Sequence, residues 1–389
     1  MNFNFKHIST WLVTVIALVM LLPSCREEQV IFIPEEVEIT APQFTSVQGF
    51  YLLNEGNMGS NKATLDYYNF RTGHYTRNIF GFANPNVPKE MGDVGNDLGI
   101  YGSKLYAVIN CSNKIDVMDK NTVKKIGQIE IPNCRFIKFY GGYAYVTSYA
   151  GPVVINPDYE QLGYVAKVDT TTLQVVATCL VGFQPDELDI INGKIYVANS
   201  GGYMVPNYEN TVSVIDIDSF TEEKRIEIDI NLQCCRADHH GNLWISSRGD
   251  YFDNLSRLFV YDTRHERLLK TFDTKVSSLW LDGDSLYVIG NQFSYVTMKN
   301  EVTFALINTS SLEQVATNFI TDGTEQEITM PYSVAVNPIT KEIYVTDAKD
   351  YVSPGRLYCF SPEGIKLWDV RTGDIPAHFV FLGDNINEN

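Results

Sequence analysis

Histidines and carboxylates are the side chains of this sequence that could bind a metal ion or transfer protons. Outside the first 24 residues the histidines are His74, His239, His240, His265 and His378. No two of them have the spacing of a zinc-binding helix, and no zinc signature occurs. His239 and His240 lie in a predicted tight turn, which favours two solvated side chains over a pair of ligands. We therefore predict no metal site, no catalytic cofactor and no catalytic centre.

Cysteines give a second set of reactive groups. Cys25 follows an apolar segment, and the other six are Cys111, Cys134, Cys179, Cys234, Cys235 and Cys359. Export would permit disulfides, but the spacing selects no pairing. Cys179 and Cys359 have the pattern of buried strand residues. We expect free thiols, and a strained bridge between the vicinal Cys234 and Cys235 is the alternative.

The overall charge limits the partners of the chain. The 389 residues include 30 Lys and Arg against 47 Asp and Glu, a formal charge of −17, and 44% are hydrophobic. Such a chain is globular, and its acidic surface repels phosphate backbones, which argues against nucleic-acid binding. The length alone suggests two or three domains, or one large all-β domain. Tyrosine is the commonest aromatic residue, with 23 copies beside 21 Phe and 4 Trp.

The N-terminus has the features of a lipoprotein export signal over residues 1–24. Lys6 and His7 precede an apolar run at 11–22, which is shorter than the roughly 20 residues needed to span a bilayer. Leu22-Pro23-Ser24-Cys25 resembles a loosened lipobox, so Cys25 is the predicted site of lipid attachment. The alternative is a cleaved secretory peptide or a signal anchor with an incidental cysteine.

Residues 25–45 are predicted to be the lipidated cysteine and an extended tether. Arg26, Glu27 and Glu28 resemble the acidic tag that directs some lipoproteins to the outer face of the Gram-negative outer membrane. We therefore expect an outward-facing protein that contacts the outer membrane through its lipid alone.

Two short sequence motifs, which we call the first and second phrases, recur along the rest of the chain. The first is an aromatic residue followed by aliphatic and small residues; its aromatic members are Tyr51, Tyr106, Tyr145, Tyr196, Trp244, Tyr287 and Tyr344. The second is a strand that closes on a polar residue before a tight turn; its closing residues are Asn69, Asp119, Asp169, Asp216, Asp262, Asn308 and Ser361. The closing residues are 46 to 53 positions apart, a period typical of propeller blades.

These repeats predict an all-β, seven-bladed β-propeller with four antiparallel strands in each blade. The first blade lacks an inner strand, because residues 49–54 begin directly on the aromatic phrase. Residues 375–382 match the inner-strand pattern at 330–336, so the C-terminal strand should complete the first blade and close the ring. The propeller then spans 46–382, and 383–389 form a short tail.

Long connections fall on one face of this ring. They are the segments 82–96, 149–161, 200–210, 248–256, 291–301 and 348–355. Loops of this length in a compact domain are usually functional, and tyrosine supplies a rigid apolar body with one polar tip. The predicted ligand-binding aromatic residues are Tyr149, Tyr203, Tyr208, Tyr251, Phe252, Tyr295 and Tyr351. For any one of them, packing within its own loop is the alternative.

Polar residues on the same face complete the predicted site. They are Arg135, Asp186, Asn199, Arg236, Arg248, Asn291 and Asp347. Their mixture of Arg, Asp and Asn suits a neutral ligand rich in amides and hydroxyls better than an anion, whereas turn capping is the alternative for those at strand ends.

The repeated phrases resemble those of the YncE-like seven-bladed propellers, over nearly all of the chain after residue 24. With the predicted lipid anchor, the chain is similar to the BtuG-type surface lipoproteins of that family. The resemblance implies a cobalamin (vitamin B12) or other corrinoid ligand, bound without a catalytic cofactor, and a TonB-dependent outer-membrane transporter as partner.

Two other functions remain open. The tyrosine-rich loops could stack on sugars, as in a glycan-binding or adhesive surface protein. Propeller hydrolases place a metal in the central channel with inner-strand carboxylates, and Asp97, Glu187 and Asp238 could imitate this. These carboxylates do not recur at one register of the repeat.

Overall fold

The computed structural model describes residues 35–295 and 298–383, which form 29 strands, numbered β1 to β29 in chain order. The strands make seven antiparallel sheets, which confirms the predicted all-β, seven-bladed propeller. The predicted signal peptide, Cys25 and residues 384–389 lie outside the described residues. No helix among the described residues is long and apolar enough to cross a membrane.

The first blade contains both ends of the described chain. Its strands are β1 (Glu35–Glu38), β2 (Val47–Asn54), β3 (Thr64–Asn69), β4 (His74–Arg77) and β29 (Pro376–Gly383). Their order in the sheet is β1-β4-β3-β2-β29, so the C-terminal strand is innermost, as predicted. β1 lies within the predicted tether and forms a fifth, outermost strand, with Glu35 opposite Arg77.

The other six blades each contain four consecutive strands in chain order. The second and third blades are β5 (Gly95–Tyr101), β6 (Lys104–Ile109), β7 (Lys114–Asp119), β8 (Lys125–Glu130), and β9 (Cys134–Tyr140), β10 (Tyr143–Ser148), β11 (Tyr164–Asp169), β12 (Val175–Leu180). The fourth and fifth blades are β13 (Pro185–Ile191), β14 (Lys194–Asn199), β15 (Thr211–Asp216), β16 (Thr221–Glu227), and β17 (Leu232–Ala237), β18 (Asn242–Ser247), β19 (Arg257–Asp262), β20 (Arg267–Phe272). The sixth and seventh blades are β21 (Ser278–Asp282), β22 (Ser285–Ser294), β23 (Lys299–Asn308), β24 (Glu313–Ala316), and β25 (Pro331–Val336), β26 (Ile343–Asp347), β27 (Pro354–Phe360), β28 (Lys366–Asp374). A short helix α1 (Ile79–Ala83) and a 3-10 helix (Thr324–Gln326) lie in connections between blades.

The aromatic residues of the first phrase form the core between blades. All seven are buried, and each lies on the second strand of its blade. Tyr344 of the seventh blade, for example, packs with Phe50 and Phe381 of the first. The phrase therefore recurs because every interface between blades needs a large apolar side chain at this place.

The polar residues that close the second phrase form turns between the third and fourth strands. The carboxylate of Asp169 accepts the backbone N–H groups of Thr171 at 2.8 Å and Thr172 at 2.7 Å, and Asp119 binds the same way in the second blade. These hydrogen bonds lower the pKa of Asp169 and Asp119 below the usual carboxyl range. The recurring acid is thus a turn-forming residue.

The two faces of the ring differ in their connections. Tight turns such as Asn192–Gly193 join first to second strands, and we call that side the short-turn face. Connections between second and third strands, and between blades, lie on the opposite side, which we call the long-loop face; β10 and β11 are separated there by residues 149–163. Inner strands begin at the long-loop face and end at the short-turn face.

The sixth blade departs from the predicted loop at 291–301. β22 and β23 are paired here from Asn291 opposite Val302 to Ser294 opposite Lys299. The prediction of a long loop there is wrong, because residues 291–294 and 299–301 belong to paired strands. The blade instead extends beyond its neighbours as a β-hairpin, with Tyr295 at its tip.

Candidate ligand-binding face

The inner strands of all seven blades line a cavity of about 1070 Å³ along the ring axis. This volume slightly exceeds the roughly 300–1,000 Å³ usual for small-molecule sites. Where the cavity opens on the long-loop face, its lining includes Asn57, Arg135, Tyr203, Arg248 and Tyr332. Two of the predicted site arginines, Arg135 and Arg248, therefore meet at one mouth. The third, Arg236, lines the channel deeper, near the short-turn end of β17.

A buried carboxylate holds two of these arginines. Asp186, fully buried in β13, accepts from Arg135 Nη2 at 3.2 Å, Arg248 Nη1 at 2.8 Å and the Tyr149 hydroxyl at 2.7 Å. Burial alone would raise the pKa of Asp186, but the guanidinium groups of Arg248 and Arg135 outweigh it and hold the pKa below its usual range. We call these four residues the Asp186 cluster. It joins the third, fourth and fifth blades.

The third arginine is held by the next carboxylate along the same strand. Glu187 Oε1 accepts from both Arg236 Nε at 2.9 Å and Nη2 at 2.5 Å, so two charge-assisted hydrogen bonds converge on one carboxylate oxygen. Glu187 Oε2 accepts the backbone N–H of Cys235 at 2.9 Å. Arg236 is therefore fixed on the channel wall while part of its side chain remains accessible.

The channel carboxylates considered for a hydrolase have structural partners. Asp97 accepts the backbone N–H of Ile137, on the next blade, at 2.9 Å, just as Glu187 ties the fourth blade to the fifth. Asp238 lies in a turn at the short-turn face, where it accepts from Trp244 Nε1 at 2.9 Å. The three do not converge on a shared point. Among the described residues, three His, Cys, Asp or Glu side chains that could share a metal ion occur at His239, His240 and Asp284.

A second polar group at the mouth was missed by the sequence analysis. Glu55 binds His378 Nε2 at 3.1 Å and accepts from the Tyr332 hydroxyl at 2.8 Å. Burial, and then the Glu55 charge, raise the pKa of Tyr332 well above its usual value. Glu55 and His378 lie at opposite ends of the chain and meet only through ring closure, so no spacing signal could have linked them.

Besides Asp186, three predicted site residues lie in the interior. Tyr149 is buried, with its hydroxyl on Asp186 and its ring 4.6 Å from the Arg135 guanidinium. Asn199 is buried and donates to two hydroxyl groups of β15. Asp347 is buried and accepts three backbone N–H groups of its own blade. The structure therefore gives these residues supporting roles behind the surface.

Half-buried tyrosines surround the mouth at the fourth and fifth blades. Tyr203 lines the cavity and meets the Tyr149 ring at 6.4 Å. Tyr208 and Tyr251 lie on adjacent loops, and burial followed by the proximity of Tyr251 raises the pKa of Tyr208. These three side chains are accessible yet partly held by packing.

Exposed aromatic residues form a group at the rim between the fifth and sixth blades. Phe252 and Tyr295, 56% and 53% exposed, stack with ring centroids 4.9 Å apart and an interplanar angle of 17°. Phe293 meets Tyr295 edge-on at 5.1 Å. The sixth-blade hairpin brings Phe293 and Tyr295 to Phe252 of the preceding blade.

The seventh blade contributes Tyr351, which is 36% exposed and meets Tyr332 edge-on at 5.9 Å. Its backbone carbonyl accepts from the Asn57 side chain of the first blade. Asn291, at the base of the sixth-blade hairpin, contacts the Met330 sulfur. Tyr351 thus lies at the mouth beside Glu55, His378 and Tyr332. Asn291 instead supports the hairpin.

The chain matches a known protein family over most of its length. Residues 48–381 match the family model described as "Domain of unknown function (DUF5074)". The chain belongs to this family. A search of curated proteins found no significant match to this DUF5074 protein.

Solved structures similar to this DUF5074 protein share its fold at low identity. A Bacteroides fragilis protein described as a proposed 6-phosphogluconolactonase is 10% identical, with a TM-score of 0.59 over 87% of this chain and 99% of that one. A quinonprotein alcohol dehydrogenase-like protein from Bacteroides thetaiotaomicron is 13% identical, with a TM-score of 0.56 over 87% and 79%. Hydrazine synthase from Kuenenia stuttgartiensis is 13% identical, with a TM-score of 0.57 over 75% and 96%. At these identities the likeness shows the fold alone.

The cysteines of the DUF5074 domain are free thiols. Those of the described residues are unpaired, and all except the half-buried Cys111 are buried. Cys179 and Cys359 are buried in strands, as predicted. Burial raises the pKa of Cys134 and Cys234 to about 12, so these thiols are poor nucleophiles at neutral pH.

Proposed function

We propose that this DUF5074 propeller is a surface lipoprotein that captures cobalamin or a related corrinoid at its long-loop face. It passes the ligand to a TonB-dependent outer-membrane transporter. The observation that carries the proposal is the wide mouth of the axial cavity, ringed by arginines held on a buried carboxylate and by accessible tyrosine and phenylalanine rings.

The chemistry of the mouth suits such a ligand. A corrin is broad, apolar across its plane and fringed with amides, so it needs flat apolar contacts together with hydrogen-bonding groups at the edge. Tyr203, Tyr251 and Tyr351 supply apolar surfaces with polar tips, and the guanidinium groups of Arg248 at the mouth and Arg236 deeper in the channel can donate to amide oxygens. The resemblance to BtuG-type lipoproteins supports the choice of corrinoid.

Calorimetry with cyanocobalamin tests the proposal directly. We expect saturable one-to-one binding and a rise in the unfolding temperature when the ligand is present, because the ligand binds only the folded protein. Absence of both heat and thermal shift at high ligand concentration would reject corrinoid capture.

Three substitutions locate the site. Tyr203→Ala, Tyr251→Ala and Tyr351→Ala should each weaken cyanocobalamin binding by about 1–3 kcal/mol, or roughly 5- to 150-fold, because each removes an aromatic contact at the mouth. The matched control is Tyr140→Ala, since Tyr140 is 51% exposed at the short-turn end of β9, at the opposite end of the cavity from the mouth. Unchanged affinity in all three, or a loss in the control alone, would move the site elsewhere.

A glycan-binding or adhesive function is the second candidate. The exposed group of Phe252, Phe293 and Tyr295 is the observation that favours it, because aromatic rings at a rim can pack against the apolar faces of sugars. A glycan array separates the two functions. Binding to a defined glycan that Phe252→Ala abolishes, with no response to cyanocobalamin, would support this second function.

A further inference from the structure

Two turns of the short-turn face bring two imidazoles onto one carboxylate. The Nε2 atom of His240 lies 2.7 Å from Asp284 Oδ1, and that of His239 lies 3.1 Å from the same oxygen. One potential ligand atom from each residue lies within 4.8 Å of the other two. The histidines join β17 to β18 in the fifth blade, and Asp284 joins β21 to β22 in the sixth.

Hydrogen bonds hold the turn that carries His239 and His240 rigidly. Asp238, which is buried, accepts the backbone N–H groups of His240 and Asn242 at 2.9 Å each. Gly241 has φ 95°, a conformation that favours glycine, and its carbonyl accepts from the Thr263 hydroxyl at 2.7 Å. The backbone on which both imidazoles stand is therefore preorganised.

The aspartate turn is fixed as well. The backbone carbonyl of Asp284 accepts from Thr309 N–H at 2.9 Å. The neighbouring carboxylate of Asp282 is paired with Lys341 at 2.7 Å, whereas Asp284 pairs, within the described residues, with the two histidines. Its negative charge faces imidazoles that can act as neutral nitrogen ligands.

We propose that His239, His240 and Asp284 bind a divalent transition-metal ion of the Zn²⁺ type. Zinc takes imidazole nitrogens at about 2.0–2.1 Å and carboxylate oxygens at about 2.0–2.2 Å in a tetrahedron, whose ligand atoms are then about 3.3 Å apart. The two nitrogen–oxygen distances of 2.7 and 3.1 Å are already close to that edge. Two imidazoles favour Zn²⁺, Ni²⁺ or Cu²⁺ over Mg²⁺ and Ca²⁺, which prefer oxygen ligands.

The site leaves at least one coordination position to solvent. The side chains of His239, His240 and Asp284 are 56%, 32% and 50% exposed, so a water molecule or an external ligand completes the shell. The bound ion links the fifth blade to the sixth at the face opposite the proposed corrinoid mouth. The metal site is therefore independent of the proposed ligand-binding function.

Calorimetric titration of the purified, chelator-stripped protein with ZnCl₂, without a polyhistidine tag, tests this site. We expect one saturable site in the wild type, affinity at least tenfold weaker in His239→Ala and Asp284→Asn, and no saturable binding of MgCl₂. The matched control is His265→Ala, because His265 pairs with Asp262 at 2.7 Å on the same face but has a single imidazole. That variant should bind Zn²⁺ like the wild type.

Thermal unfolding gives a second readout. Zn²⁺ should raise the unfolding temperature of the wild type and of His265→Ala but not of Asp284→Asn, and all three should unfold at similar temperatures in EDTA. Equal Zn²⁺ affinity in the wild type and in both site variants, or no saturable site in the wild type, would overturn the proposal.

Discussion

A chain that ends at Ile375 is expected not to fold cooperatively. The truncation removes β29, the innermost strand of the first blade, and leaves β2 without the partner along which Phe50 faces Phe381 and Leu52 faces Phe379. A propeller opened in this way leaves the inner edge of β2 unpaired, uncovers the side chains of β5 and β25 that pack beside β29, and loses its ring closure.

The size of the effect follows from the buried side chains. Ala377, Phe379, Val380, Phe381 and Leu382 of β29 are all buried. At about 1.5–3 kcal/mol for each fully buried large apolar side chain, their loss amounts to on the order of 10 kcal/mol. Whole domains are stable by about 5–15 kcal/mol, so the loss is comparable with the total.

Soluble expression and circular dichroism during thermal unfolding measure the outcome. The truncated chain should aggregate or show no cooperative transition. A control chain ending at Gly383 keeps every described strand and should unfold like the full-length protein. A cooperative transition near the wild-type temperature in the chain ending at Ile375 would show that the other blades close without β29.

Asp186→Asn should be the most destabilising of the single substitutions at the mouth. The variant nearly preserves shape but removes the negative charge shared by Arg135 and Arg248, and breaking a buried ion pair typically costs about 3–5 kcal/mol. Urea unfolding at neutral pH measures the change. The matched control is Asp229→Asn, whose partner Arg257 at 2.9 Å is 39% exposed; such partly exposed pairs contribute about 0–1 kcal/mol.

The pH dependence of this difference has a defined sign. The pKa of Asp186 is lowered in the folded protein, so its stabilising contribution is complete above the unfolded carboxyl pKa, about 4, and is lost as the pH falls through the lower folded value. The gap in unfolding free energy between wild type and Asp186→Asn should be constant at pH 5–7 and shrink below about pH 4. A gap that widens on acidification would contradict the assigned ion pairs.

Ring closure through the C-terminal strand could be predicted from sequence because both signals are local. The inner-strand pattern of residues 375–382 resembles that of residues 330–336, and the first repeat starts without such a pattern. The aromatic phrase was equally informative, since Tyr106 or Tyr344 must face a neighbouring blade once its strand register is set. The turn-forming role of Asp119 and Asp169 depends on hydrogen bonds within three residues.

The candidate site was less predictable because it depends on contacts between blades. Tyr149 stood in a long predicted loop, yet its hydroxyl reaches Asp186, 37 positions away, and the residue is buried. The segment 291–301 was predicted to be a loop, but residues 291–294 and 299–301 pair across a hairpin. Loop tyrosines have no register that tells which side is buried, so their exposure follows from the packing of adjacent blades.

The sequence by itself determined the number of blades, the strand order within each blade, the closure of the ring and the side on which long connections gather. These properties follow from periodic apolar patterns and turn residues that act over a few positions. Only the tertiary structure decided which polar groups meet. Asp186 gathers two arginines, Glu55 reaches His378 and Asp284 faces two histidines, because ring closure and the packing of adjacent blades bring together residues that are 44 to 323 positions apart.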